Sequence, residues 1–98
     1  MTEITISRED DARGGRWIGR IAGVAEEAEL VFDRVAADLV AATHTFVPET
    51  MRGTGMGRLL IDRMLADARA EGFAVVPRCS FVKAQYARHP EWSDVMRE

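Results

Sequence analysis

The sequence predicts a single α/β domain, of the α+β kind, in which helices pack on a mixed sheet. Four segments in the first half alternate polar and apolar residues, the period of a half-buried strand. After Gly55 the apolar period changes to that of an amphipathic helix. A continuous apolar run, FAVVP, follows that helix after one glycine, which is typical of a buried strand.

The four alternating segments predict an antiparallel meander, because only short polar or small-residue connections separate them. The first connection is predicted as a turn at residues 8–13 together with Gly14 and Gly15. Pro48 ends the fourth strand, since proline donates no ladder hydrogen bond. The predicted strands cover residues 3–7, 16–22, 28–35 and 38–47.

The second half predicts two helices around the fifth strand. The long helix carries its apolar side chains on one stripe, and Gly72 is its natural C-terminal stop. Residues 73–77 are expected to form a strand buried on both faces. Ser80 is predicted to cap a short C-terminal helix over residues 81–88. Only the helical crossover joins parallel neighbours, and a three-layered arrangement is expected.

Composition narrows the class of protein. The 98 residues, 47% hydrophobic and 30% charged, fit one domain spanning residues 1–98. A net charge of −3 without basic blocks argues against nucleic acid as a partner. The start MTEITISREDD lacks signal-peptide character, and no segment approaches the roughly 18 apolar residues of a membrane span, so we expect a cytoplasmic protein without a membrane partner. One cysteine and two separated histidines make a poor zinc site, so no metal is expected.

The stretch RGTGMG, residues 52–57, places three glycines at alternate positions before the long helix. A P-loop is excluded because no Lys-Ser or Lys-Thr closes the motif. A Rossmann fingerprint is excluded because its glycine spacing and its early place in the chain are different. What remains is a cradle of backbone amides at a helix N-terminus, which attracts anions. The alternative is a strand-to-helix turn that binds nothing.

The surroundings of this loop resemble the R/Q-x-x-G-x-G/A signature of GNAT-type N-acetyltransferases. The segment HTFVP precedes Arg52-x-x-Gly55-x-Gly57, and two leucines of an amphipathic helix follow. Downstream, VVPRCSFVKAQYARHPEW is similar to a subfamily of small GNAT-like proteins with a cysteine near the acetyl-binding site and no obvious acceptor pocket. The resemblance covers nearly the whole chain and is strongest over residues 43–92. It implies a compact GNAT-like fold with acetyl-CoA or coenzyme A as co-substrate.

By this resemblance, the coenzyme site joins the glycine loop to the end of the fourth strand. The main chain around Phe46 and Val47 would pair with the pantetheine arm as an added strand does. The loop amides would hold the pyrophosphate, and the two arginines of the loop either add positive charge or are simply solvated. The predicted cofactor-binding residues are Phe46, Val47, Arg52, Gly53, Thr54, Gly55, Met56, Gly57 and Arg58.

Three side chains are candidates for chemistry. Cys79 follows a buried strand near a predicted helix N-terminus, so it is either a nucleophile or a small core residue. Tyr86 matches the place of a GNAT tyrosine acid facing the coenzyme sulfur, although the small subfamily often has its aromatic at the position of Gln85. Core packing is the alternative for Tyr86. His44 should share a strand face with Phe46 and either points to the acyl site or is a hydrogen-bonded structural histidine.

Two functions follow from the resemblance. The first is acetyl transfer to an amine acceptor, a small molecule or a protein, with an acetyl-cysteine intermediate as one route. Many relatives carry a glutamate where this chain has Phe46, which removes the most obvious general base. That departure and the short chain favour the second function, a non-catalytic acetyl-CoA-binding or sensing module. The sequence leaves the acceptor and the oligomeric state open.

Overall fold

A five-stranded sheet organises the chain, which a computed structural model describes from residue 3 to residue 98. The strands lie in chain order: β1 Ile4–Asp10, β2 Gly14–Ile21, β3 Ala28–Ala36, β4 Leu39–Phe46 and β5 Ala74–Pro77. Neighbouring strands from β1 to β4 are antiparallel, and β5 runs parallel to β4. The predicted α/β class, the meander and the parallel fifth strand are confirmed. Met1 and Thr2, which the predicted domain includes, lie outside the described residues.

Two helices follow the last two strands. Helix α1 spans Met56–Glu71 between β4 and β5, and α2 spans Ser80–Arg88 after β5. Two 3₁₀ turns accompany them, Glu49–Met51 before α1 and Pro90–Asp94 after α2. Gly72 ends α1 in a left-handed conformation with φ 77°, as the sequence predicts. Neither helix has the length and apolar character that a membrane crossing requires within residues 3–98.

The first turn differs from its prediction. Strand β1 continues to Asp10, so the connection is only residues 11–13, and Gly14 and Gly15 belong to β2. Asp11 forms this turn, since its Oδ1 accepts hydrogen bonds from the amides of Arg13 and Gly14 at 2.8 and 3.2 Å. At Gly15, a Cβ would lie 2.0 Å from the carbonyl oxygen of Glu9. The glycine there therefore permits close strand contact.

The start of α2 also differs by one residue from its prediction. Cys79 is the N-cap residue, with extended backbone angles, and Ser80 is the first helical residue and not the cap. The Cys79 carbonyl accepts the first helical hydrogen bond, from Lys83 N at 2.9 Å. The Cys79 amide itself donates to Ala42 O, which fixes where the chain leaves the sheet. The helix begins at this anchor without a side-chain cap.

All helical structure packs on one face of the sheet, so the domain has two layers and the expected third layer is wrong. Paired residues of adjacent antiparallel strands point to the same face. The inner face therefore carries alternate residues of each strand, and its core side chains include Trp17, Leu30, Phe32, Val40 and Val75. The expectation that residues 73–77 are buried on both faces is also wrong, because Ala74 and Val76 lie half-buried on the open face. Residues 3–98 form two α-helices, and both follow strands at the same end of the sheet.

The half-buried carboxylate of Asp67 joins α1 to the first two strands. The Trp17 indole, fully buried, donates to Asp67 Oδ2 at 2.8 Å. Arg8 and Arg63 donate to the same carboxylate at 3.0 and 3.1 Å. Burial alone would raise the pKa of Asp67, but the hydrogen bonds from Trp17, Arg63 and Arg8 outweigh it and lower the pKa. The ionised carboxylate therefore stabilises the folded chain.

We expect Asp67→Asn to lower the free energy of unfolding at neutral pH by about 1–2 kcal/mol, because an amide keeps an acceptor for the indole but loses the charge. The folded pKa lies below the ordinary value of 3.8, so this stability is present above that value and is lost as pH falls through the folded pKa. Urea unfolding near neutral pH and at about pH 2 measures the difference between the two proteins with the carboxylate ionised and with it largely protonated. Asp33→Asn is the matched control, since Asp33 is exposed and has no ion pair within residues 3–98. An undiminished difference at low pH would contradict the charge argument.

Candidate functional site

Strands β4 and β5 separate, and most predicted site residues lie around the gap that they leave. Their pairing ends at Ala42 and Pro77. The next two amides, of Arg78 and Cys79, both donate to the Ala42 carbonyl, at 2.9 and 2.8 Å. Strand β4 continues to Phe46 with β3 as its partner. One backbone edge of residues 43–46 is therefore unpaired within the described chain, and a free strand edge accepts an extended ligand.

A bulge in β4 decides which side chains face the gap. Val31 pairs with His44 and Phe32 with Ala42, so Thr43 is the extra residue. Beyond it, Thr45 pairs with the core residue Leu30 and points to the helix layer. His44 and Phe46 point to the open face, and Phe46 is 49% exposed there. The bulge thus places a threonine, and not the histidine, beside the first turn of α2.

Cys79 lies on the inner side of the gap. Its side chain is 7% exposed, and its Sγ is 3.2 Å from Thr45 Oγ1, with either atom able to donate. Cys79 is the N-cap residue of α2, so it lies directly before the first turn of that helix. The position therefore suits a nucleophile that is shielded from water. Thr45 is a site residue that the sequence analysis missed, because its inward direction depends on the bulge.

The other two candidate catalytic residues, Tyr86 and His44, lie on different sides of the sheet. Tyr86 is half-buried and packs against the core, two turns after Cys79 on the same side of α2. His44 is exposed on the open face and so does not face Cys79. The structure therefore brings Cys79 and Tyr86 to one helix side and places His44 across the sheet.

The glycine loop leads into α1 with several unpaired amides. Three amides of residues 52–58 donate hydrogen bonds: Arg52 to Glu49 O, Thr54 to Met51 O, and Met56 to Thr54 Oγ1. Four have no hydrogen-bond partner within residues 3–98: Gly53, Gly55, Gly57 and Arg58. Gly53 and Gly55 have φ of 78° and 79°, a left-handed conformation that glycine adopts without strain. These open amides at a helix N-terminus form a cradle for an anion.

Gly57 has a different role from the other loop glycines. A Cβ at this position would lie 2.8 Å from Phe81 Cζ and 3.7 Å from Val47 Cγ2. The missing side chain therefore lets the start of α1 approach the start of α2 and the end of β4. This contact joins the glycine loop, the unpaired strand edge and the Cys79 turn.

The two loop arginines have different surroundings. Arg52 is exposed and makes no side-chain hydrogen bond within the described residues. The Arg58 guanidinium is bound to Asp62 and His89 and lies over the Trp92 ring. His89 and Trp92 were not predicted as neighbours of the loop, since a separation of 31 residues between Arg58 and His89 carries no periodic signal.

One groove lies well away from these residues. It has a volume of about 540 Å³ at the other end of the sheet, around Gly14, Gly15 and Asp33. A smaller one of about 320 Å³ lies beside the end of β5, lined by residues that include Arg78 and Lys83. Volume is a poor guide here, because an extended ligand that pairs with a strand needs an open edge. Within residues 3–98, no group of three or more His, Cys, Asp or Glu side chains is arranged to hold a metal ion.

Comparison with protein families gives one match. A family model described as GCN5-related N-acetyl-transferase matches residues 18–95. The matched span contains β4, the glycine loop, α1, β5 and Cys79. A search of curated proteins found no match.

We expect Gly57→Ala to destabilise the fold by about 1–2 kcal/mol, because the added methyl group overpacks against Phe81. Phe81→Leu removes the ring atoms that lie nearest, so the double variant should lose less stability than the sum of the two single variants. Urea unfolding of the four proteins in this double-mutant cycle measures the coupling. Simple additivity would show that Gly57 does not serve this contact.

Proposed function

Because the chain belongs to the GCN5-related N-acetyltransferase family, we propose that it binds acetyl-CoA in the gap between β4 and β5 and transfers the acetyl group to an amine. One observation carries this proposal: the unpaired edge of residues 43–46 lies beside a loop with four open amides. An extended pantetheine arm fits the first feature, and a pyrophosphate fits the second.

The binding mode follows from these two features. The pantetheine amides would pair with the β4 backbone around Phe46 and Val47, in the way that an added strand pairs with a sheet edge. The pyrophosphate would accept hydrogen bonds from the open amides of Gly53, Gly55 and Gly57, assisted by the positive end of α1. Each hydrogen bond to a charged group contributes about 1.5–3 kcal/mol, so a few of them suffice for specific binding.

The proposed chemistry uses Cys79 as the nucleophile. Its sulfur attacks the acetyl carbonyl, the new sulfur–carbon bond forms, and the bond between that carbon and the coenzyme sulfur breaks. The thiol proton is transferred to the departing coenzyme sulfur, and Tyr86 is the proposed acid that relays it. An amine then attacks the acetyl-cysteine, which restores the thiol. Direct attack of the amine on the coenzyme thioester is the alternative route.

The acceptor side differs from the usual carboxylate arrangement. Phe46 lies exposed on the open face, where it offers no base. His44 is exposed on the same face, across the sheet from Cys79, so it is not placed to take a proton from an amine that attacks the acetyl-cysteine. In this scheme the amine, from a small molecule or a lysine of another protein, arrives neutral, and its proton goes to the Cys79 sulfur as the carbon–sulfur bond breaks.

A second function, binding without transfer, is favoured by two observations. Cys79 is buried, as structural cysteines commonly are, and Phe46 replaces a possible base. A sensing module would bind acetyl-CoA with the same loop and strand edge but acetylate neither itself nor an amine. Covalent labelling therefore separates the two functions.

We expect Gly55→Val to weaken coenzyme A binding at least about tenfold, because a branched side chain disturbs the left-handed loop that presents the amides. Gly72→Val is the matched control: its φ of 77° and open surroundings equal those of Gly55, but it lies at the other end of α1. Both variants should lose about 1–3 kcal/mol of stability through strain. Titration calorimetry gives the affinities. Unchanged binding in folded Gly55→Val would contradict the assignment of the pyrophosphate to the glycine loop.

Incubation with acetyl-CoA should add one acetyl group to the protein, removable by hydroxylamine, because a thioester is labile to that nucleophile. We expect Cys79→Ala to abolish the adduct and to keep coenzyme affinity within about threefold, since a sulfur atom is not a phosphate ligand. Intact-protein mass spectrometry, with and without candidate amines, measures both. If Cys79→Ala acetylates an amine at the normal rate, the thiol is structural and direct attack is the mechanism.

A further inference from the structure

The Arg58 guanidinium is held by groups from two parts of the chain. Its Nε donates to Asp62 Oδ1 at 2.9 Å within α1. Its Nη1 is 3.3 Å from His89 Nε2, and its Cζ lies 5.1 Å from the centre of the Trp92 ring. The side chain is 44% exposed, and Nη2 has no partner within residues 3–98. A guanidinium fixed in this way keeps one open edge for an anion.

His89 is itself fixed from two sides. Its Nδ1 is 3.1 Å from Glu91 Oε2, and its ring is stacked on Trp92 with centroids 4.6 Å apart and an interplanar angle of 13°. Trp92 is 5% exposed, so the stack is anchored in the core. The imidazole therefore has one orientation, with Nδ1 toward a carboxylate and Nε2 toward Arg58.

The hydrogen-bond partners determine which tautomer fits. A guanidinium only donates, so Nε2 must present its lone pair to Arg58. The proton then lies on Nδ1, which donates to Glu91. A backbone amide and the hydrogen bond from His89 lower the pKa of Glu91, so this carboxylate stays ionised wherever histidine titrates. Neutral His89 completes the arrangement.

A second proton on His89 would break the contact with Arg58. It would place an N–H⁺ against the guanidinium, at a distance where like charges repel. The other charged groups near His89 are Asp62 on α1, Glu91 in the 3₁₀ turn and the neighbouring Arg88 at the end of α2. The two carboxylates are already bound to Arg58 and His89, so neither compensates for the lost acceptor.

We propose that His89 is a positioning residue that, when neutral, holds Arg58 ready for the coenzyme phosphates, so that acid weakens coenzyme binding. This inference rests on the proposed coenzyme site, because Arg58 follows the three open glycine amides directly. A free arginine loses rotamer entropy when it is fixed, and the contacts with His89 and Trp92 meet part of that loss before the ligand arrives.

The test is the affinity for dephospho-CoA between about pH 5 and pH 8, the range in which histidine titrates. Dephospho-CoA lacks the 3′-phosphate, so its own charge does not change in this range. The wild-type affinity should fall about fivefold toward low pH, the scale of one net hydrogen bond. His89→Gln keeps an acceptor for Arg58 and a donor for Glu91 but cannot titrate, so its affinity should stay at the high-pH level throughout.

Three further variants complete the design. His89→Phe keeps a ring on Trp92 but removes the acceptor, so it should bind weakly at every pH, and Arg58→Gln should do the same. His44→Gln should retain the pH dependence, which assigns it to one of the two histidines of the chain.

Absence of dephospho-CoA binding at any pH would overturn the proposed function together with this inference. Binding that is independent of pH, that strengthens in acid, or that is undiminished in His89→Phe would overturn the inference alone. Thermal unfolding of each variant confirms that the comparison is made between folded proteins.

Discussion

The site depends on one backbone oxygen. The Ala42 carbonyl accepts both the Arg78 and the Cys79 amide, and with this pair of hydrogen bonds the parallel pairing of β4 and β5 ends. The chain then turns into α2, so β4 keeps a free edge, and Cys79 lies on the side of that edge that faces the helices. The same turn brings Phe81 against Gly57, which sets the distance between α2 and the glycine loop. These hydrogen bonds to Ala42 therefore determine where the glycine loop, the free strand edge and the Cys79 thiol lie relative to one another.

Local patterns in the sequence predict the helices and strands well, because the hydrophobic period and the glycine and proline residues that end an element are local properties. The strand alternation, the amphipathic stripe of α1 and the stop at Gly72 all appear in the structure within a few residues. The errors in the predicted element bounds lie where a side chain or a backbone amide forms a hydrogen bond that the sequence pattern does not show. Asp11 closes the first turn in place of the glycines, and the Cys79 amide is anchored before Ser80 can cap. The number of layers was mispredicted, because the hydrophobic period shows which face of a helix is apolar but does not show on which side of the sheet the helix packs.

The candidate site was predictable to the same extent. The glycine loop is a contiguous signal, and the sequence places its amides correctly at the start of α1. The inward direction of Thr45 depends on a one-residue bulge at Thr43, which reverses the faces of the residues after it. The contact between Arg58 and His89 joins two helix ends and has no sequence pattern. Long-range packing, and not local propensity, determines these features.

The central claim is that the coenzyme lies on the glycine loop and the free edge of β4. Titration of isotope-labelled protein with coenzyme A, followed by amide chemical shifts, tests it most directly, because the chain carries glycine reporters at both ends of the sheet. The account predicts that the largest shifts occur at Gly53, Gly55, Gly57 and Val47, with Gly14 and Gly15 unchanged. Shifts concentrated at Gly14 and Gly15, which line the groove at the other end of the sheet, would contradict it.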